Sequence, residues 1–272
     1  MPSPESPVAG ASDGRSRPAH QGTAPAVSLA QVTKSYGPVQ ALRRVDLDLW
    51  RGTVVGVTGD NGAGKSTLLK IMAGAVSATS GTMSIDGRPV SFSSPTDARA
   101  HGIEIVYQEL ALAPDLDVVQ NAFLGRELTR RALGVGPRVL DRPRMEAAVI
   151  ARLQDLQLSL TRLSTSVENL SGGQRQAIAI VRAMLSDPAV VVLDEPTAAL
   201  STAKIPGVLA LLRRLRDRGV CVVIVSHRIQ DLLEVSDRIV VIGGGTVVMD
   251  RPAAELDIAG VVNAVANAPT HD

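Results

Sequence analysis

The sequence predicts an α/β fold, a largely parallel sheet covered by helices with a helical stretch inserted into it. Three observations carry that prediction. Gly59-Asp60-Asn61-Gly62-Ala63-Gly64-Lys65-Ser66-Thr67 fits G-x-x-x-x-G-K-[ST] and lies between an apolar strand, Thr53 to Val57, and a helical stripe of Leu68, Leu69, Ile71 and Met72. Short apolar runs recur at Val190–Leu193, Val220–Val225 and Ile239–Ile242, with a helix-like pattern around Val208–Arg218 among them, the alternation of a parallel sheet. From Glu109 to Ser186 the pattern is helical instead, so that stretch reads as an inserted subdomain.

In chain order, Val27–Val32, Ala41–Trp50, Thr53–Val57 and Thr82–Ile85 read as strands, punctuated by Gly37-Pro38, Arg51-Gly52 and Asp86-Gly87. Pro95–Ala100 reads as a short helix before a strand at Ile103–Tyr107. Helices follow at Val118–Leu124, Arg142–Leu156 and Gly172–Leu185, joined by loops such as Gly134–Pro137. In the helix around Val208–Arg218, Leu211, Leu212 and Leu215 face the core, and Arg213, Arg214, Arg216 and Arg218 form the wet face.

Composition bounds the function. The chain of 272 residues is 45% hydrophobic and 20% charged, which supports a sizeable core. A net charge of +1 provides no global basic field for nucleic acid. Cys221 is the lone cysteine, which excludes an internal disulfide framework and fits a reducing compartment; inside the run Val220 to Val225 it reads as core. No apolar stretch approaches the ~20 residues that span a bilayer, so a membrane role is expected to come through a partner. Met1 to Ala26, rich in Pro, Ser, Ala and Gly, reads as a disordered tail without the long apolar segment of a secretory signal.

The glycine-rich loop dictates phosphate chemistry. Gly62 and Gly64 let the backbone come close to a phosphate chain, whose oxygens the loop N–H groups can wrap. Lys65 neutralises it, Ser66 offers a hydroxyl to Mg²⁺, and the helix N-terminus adds positive field. The strand Val190 to Leu193 ends in Asp194 and Glu195; in a nucleotide site the first carboxylate is placed for Mg²⁺ and the second to polarise an attacking water. Leu170-Ser171-Gly172-Gly173-Gln174 opens a helix with Ser171 as N-cap, a second anion-binding helix start flanked by Asn169, Arg175 and Gln176.

Together, the phosphate loop, LSGGQ at Leu170–Gln174, the Leu193-Asp194-Glu195 strand end and Ser226-His227-Arg228 stand in the order and spacing of ABC-transporter ATPases, which the chain resembles over roughly Val27 to Gly245. The resemblance implies a P-loop NTPase (RecA-like) core with a mixed sheet, an antiparallel β subdomain and an inserted α-helical subdomain. It implies an ATPase domain at 27–250, with 27–108 and 187–250 as catalytic core and 109–186 as helical subdomain, preceded by the tail 1–26 and followed by a C-terminal extension, 251–272. ATP and Mg²⁺ are the implied cofactors. Residues Gly59 to Thr67 then bind nucleotide, and Tyr36, in Lys34-Ser35-Tyr36-Gly37, resembles the aromatic that stacks on adenine. Gln108 is similar to the glutamine that reaches Mg²⁺ and the attacking water. Asp194 resembles the Mg²⁺ acid, Glu195 the catalytic base and His227 the histidine that contacts the γ-phosphate. Ser171, Gly172, Gly173 and Gln174 would complete the nucleotide site of a second subunit, so two chains are expected to sandwich two nucleotides. Ser201, in Pro196-Thr197-Ala198-Ala199-Leu200-Ser201, stands where many members carry an aspartate.

Gly102–Leu112, Leu116–Arg126, Gln174–Ile180, Glu195–Ser201 and Ser226–Ile229 are similar to the monosaccharide-importer branch. That branch implies a homodimer, or pairing with another ABC ATPase chain, working on membrane permease subunits and indirectly with a sugar-binding protein. The location implied is cytoplasmic, peripheral on the inner face of the cell membrane, with the permease docking on Glu109 to Arg126, where Leu116 and Phe123 are the expected contacts. The alternative is a soluble, non-transport ABC ATPase acting on ribosomes or DNA. Neither a charged linker between two ATPase units, nor a Cys pair, nor a long heptad run is present to favour it.

Overall fold

A computed structural model describes residues 24–132, 136–159 and 162–269. Most of the tail and part of the Gly134–Pro137 loop lie outside the described residues. Ala26, placed in the tail by its composition, is buried, and its carbonyl accepts the Asp86 N–H at 3.3 Å, which orders the entry to the first strand.

A mixed sheet of ten strands organises the molecule. Its antiparallel flank is built from β1 (Val27–Tyr36), β2 (Val39–Leu49), β4 (Ser80–Ile85) and β5 (Arg88–Val90). Its parallel body is β11 (Arg238–Gly243), β3 (Val54–Thr58), β10 (Cys221–Val225), β9 (Val190–Asp194) and β6 (Ile103–Val106), in that spatial order. Strand β12 (Thr246–Pro252) pairs antiparallel with β11 and joins the flank to the body through the parallel pair Thr246 and Arg44. A flank bearing alternately buried and exposed residues and a body buried throughout explain why β1 and β2 alternate while β3 and β10 read as continuous apolar runs.

Helices cover both faces. The β3 loop feeds α1 (Lys65–Met72), and Ser94 caps α2 (Pro95–Ala100) before β6. The stretch expected to be helical contains α3 (Val118–Phe123), α4 (Arg142–Asp155) and α5 (Gly172–Met184), whose Val119, Met145, Val149, Ile178 and Val181 share one apolar cluster. It also holds a hairpin of β7 (Thr129–Arg131) and β8 (Arg138–Leu140), invisible in a sequence whose residues there are exposed and arginine-rich. α6 (Ile205–Asp217) buries Leu211, Leu212 and Leu215 as expected. Its arginines are tied down within the chain: Arg213 to Glu234, Arg214 to the Leu156 carbonyl, Arg216 to Asp237 and Arg218 to Asp155. After α7 (Ile229–Val235), β12 runs through Asp250 to Pro252 and α8 (Ile258–Ala266) packs beside α7 and β11, so the stretch read as an extension carries structure packed on the core. Among the described residues no helix is long and apolar enough to cross a membrane.

Candidate nucleotide site

Parallel strands place their carboxyl ends along one rim, and the expected residues collect there. Register pairs Val225 with Asp194 and with Val57, and Val106 with Leu193. The loop after β3, the acids after β9, Ser226-His227 after β10 and Gln108 after β6 therefore share the same edge.

The loop bends as tightly as its glycines allow. A Cβ on Gly59 would meet the Ile242 carbonyl oxygen at 2.0 Å, and one on Gly64, at φ 107°, would meet the Ala41 oxygen at 2.7 Å. The Gly245 N–H donates to the Ala63 carbonyl at 3.0 Å, seating the loop on the β11–β12 turn. Inside the loop, Lys65 is buried and its Nζ donates to the carbonyls of Gly59 and Asp60, 2.8 Å each. Burial lowers the proton affinity of Lys65, and the carboxylates of Glu195, Asp60 and Asp194 oppose that. Ser66 is exposed in the first turn of α1 and Thr67 half-buried behind it, while Asn61 and Gly62 face solvent. A cavity of about 410 Å³ opens over Asp60 to Ala63, walled by Gly243, Gly244, Val262, Val265 and Pro269. This wall from the C-terminal segment has no counterpart in the sequence reading, because nothing local to residues 258–269 relates them to the loop.

Asp194 and Glu195 differ in setting. Burial raises the pKa of Asp194 against the opposing charges of Lys65 and His227. Glu195 sits at φ 49°, a left-handed conformation that costs a side-chain-bearing residue and clusters at functional positions. Its carboxylate accepts from the His227 backbone N–H at 3.1 Å and from Ser226 Oγ at 3.3 Å, with His227 Nε2 3.5 Å away. Ser226 is a positioning residue the sequence reading missed; only its place between a strand end and His227 hinted at it. Behind it, Thr197 donates to the buried Asp231 at 2.7 Å and Arg228 bonds the same oxygen at 2.8 Å.

Gln108 is exposed one strand over from Asp194. Tyr36 ends β1, exposed, with Lys34 Nζ 5.0 Å from its ring centroid, rather than packed as a core aromatic; the β2 partner strand touches Gly64 through Ala41 and Leu42. Ser171 to Gln174 stand apart from the loop. Ser171 caps α5 in a closed box, Gln174 N–H donating to Ser171 Oγ at 3.4 Å and Ser171 N–H to Gln174 Oε1 at 2.9 Å. The S-x-x-Q spacing could have shown that second bond. Ser171, Gly173 and Gln174 border a different cavity with Leu158, Lys204 and Leu211. Arg175 folds back on the Leu170 carbonyl at 2.9 Å and Gln176 is buried, so neither extends polar reach outward.

The family profile described as ABC transporter matches residues 42–198. The chain belongs to that family. The fructose import ATP-binding protein FrcA of Rhizobium meliloti is 44% identical over 217 residues, 79% of this chain and 84% of that one. The xylose/arabinose import ATP-binding protein XylG of Sulfolobus acidocaldarius is 41% identical over 232 residues, 85% and 90% of the two chains. The ribose import ATP-binding protein RbsA of Yersinia pestis is 40% identical over 248 residues, and this chain spans about half of it (48%). Among solved structures, a nucleotide-free ATP-binding cassette superposes with TM-score 0.73 at 22% identity, covering 89% of this chain and 95% of that one. A dimeric cassette holding ADP and Pi after hydrolysis gives 0.66 at 27% identity, covering 84% and 98%. This ABC protein is thus a nucleotide-binding ATPase.

Proposed function

We propose that this ABC ATPase drives import of a monosaccharide through membrane permease subunits, at the cytoplasmic face of the membrane, with a sugar-binding protein delivering the cargo. The single observation behind this reading is its 41–44% identity, over most of both chains, to subunits named for fructose and xylose/arabinose import. In it, residues 59–67 wrap the phosphates, and Lys65, held ready by its own loop carbonyls, exchanges those two bonds for phosphate oxygens. Tyr36 stacks on adenine. Ser66, Gln108 and Asp194 offer hydroxyl, amide and carboxylate oxygens, a hard donor set that suits Mg²⁺, which supplies charge neutralisation on the phosphates when bound. Glu195, fixed by Ser226 and the His227 N–H, takes the proton of the attacking water, and His227 steadies the γ-phosphate. The Ser171 helix start reaches the triphosphate of a second copy, since within one protomer it borders a separate cavity.

Permease subunits dock on Glu109 to Arg126. There the expected contact Phe123 is corrected: its side chain is buried in the apolar cluster with Met145 and Val149, whereas neighbouring Leu124 is 45% exposed. Replacing Leu124 by Asp should leave nucleotide affinity unchanged and abolish sugar uptake in proteoliposomes holding the permease. Undiminished uptake by that variant refutes the docking assignment, and copurification with ribosomes or DNA in place of membrane subunits refutes import.

A further inference from the structure

The segment between Gln108 and α3 has neither helix nor strand, yet its backbone is gripped from two helices. Asn121, fully buried on α3, accepts the Ala113 N–H at 2.7 Å and donates to the carbonyls of Ala113, Leu116 and Asp117 at 2.9, 3.0 and 3.1 Å. Arg182, half-buried on α5, spreads its guanidinium over two consecutive carbonyls: Nη1 donates to Ala111 and Nη2 to Leu110, each at 2.7 Å. Ala111 is held at φ 48°, a conformation alanine avoids unless its surroundings impose it. Burial makes this a costly place for a cation, as the lowered proton affinity of Arg182 reflects, with Arg126 adding to the effect and Glu104 offsetting it. An apolar side chain would fill the space without that cost, so the two-carbonyl grip is what a guanidinium in particular provides.

We propose that Arg182 is a positioning residue that locks the Leu110–Ala111 backbone to α5, so that Gln108 and Ser171 travel as one piece with the helical layer. Ser171 caps the same rigid helix about three turns before Arg182, and Gln108 directly precedes the gripped peptides. β6 ends at Val106, anchored in the sheet, while Tyr107, Gln108 and Glu109 are exposed. For Gln108 to move with the clamp, the pivot falls at Tyr107, between the end of β6 and Gln108. Engagement of a partner's triphosphate by Ser171 and arrival of Gln108 at its own nucleotide become one movement. The proposal rests on the roles given above to Gln108 and Ser171.

Arg182→Lys keeps charge and stem but loses the planar fork. For the purified chain it should lower ATP turnover at saturating Mg-ATP about tenfold, with nucleotide affinity and melting temperature near the parent's. The deciding measurement is a double-mutant cycle with Gln108→Ala: in that background Arg182→Lys should cost less than twofold, because the clamp has nothing left to position. Parent-like turnover of the single variant, or losses that multiply in full, overturns the clamp. If Arg182→Lys fails to fold, Arg182→Met, which keeps the packing, enters the same cycle; failure of both to fold makes the residue structural and also overturns it. A silent Gln108→Ala refutes the role of Gln108 itself, and is told apart because it appears before Arg182 is touched.

Discussion

Single residues at the proposed nucleotide site carry costs of their own. Asp194 is kept at a strand end where burial raises its pKa in spite of Lys65 and His227 nearby. A carboxyl whose folded pKa is raised favours folding while protonated, and that contribution is lost as pH climbs through its folded pKa. Asp194→Asn stays neutral at every pH. Its nucleotide-free melting temperature should therefore rise relative to the parent's on going from pH 4.5 to 7.5, while the gain in melting temperature on adding Mg-ATP disappears. Thermal melts at the two pH values, with and without nucleotide, check both signs. Cys221 is the counterexample: buried in β10, its thiol is pushed up to about 12, the state of an inert core residue.

At the scale of elements, the start of α5 caps its helix and, in the proposed function, also meets a partner's triphosphate; the two jobs can be separated. Ser171 and Gln174 close each other's backbone donors, worth about 1 kcal/mol to the helix. A carboxylate caps as well as a hydroxyl, so Ser171→Asp should melt with the parent. Set against the partner's triphosphate, the same carboxylate should abolish ATP turnover. Equal melting and lost turnover would separate the interface role from the cap; lost melting would merge them. The junction of β2 and β12 is short: the register pair Thr246 with Arg44, the Arg43 N–H donating to the Gly245 carbonyl at 2.9 Å and Arg238 donating to the Asp48 carbonyl at 2.7 Å tie the antiparallel flank to the parallel body. The Gly245 N–H, bonded to Ala63, then fixes the phosphate loop at that seam.

For the whole molecule, the function proposed above requires a second copy. Glu195→Gln keeps the backbone and removes the base, so turnover should fall by about 10²-fold or more with nucleotide still bound. Held unhydrolysed, Mg-ATP should then double the mass seen by analytical ultracentrifugation, and removing nucleotide should return it to the protomer. A mass that stays single with Mg-ATP bound would contradict the sandwich.

The contiguous pattern of Gly59 to Thr67, the strand ending in Asp194-Glu195, LSGGQ and the burial of Leu211, Leu212 and Leu215 were legible because each is set by neighbours in sequence: periodicity, turn chemistry and caps act over a few residues. The same locality concealed the β7–β8 hairpin, the α8 wall over Asp60 to Ala63 and the burial of Phe123, for which nothing adjacent signals the partner. The sequence alone determined which chemistry the chain performs, because phosphate binding is written in one unbroken segment. Tertiary structure alone decided that Ser226 holds Glu195 and Arg182 holds Leu110 and Ala111, because those contacts join residues 31 and more than 70 positions apart, brought together only when sheet and helices pack.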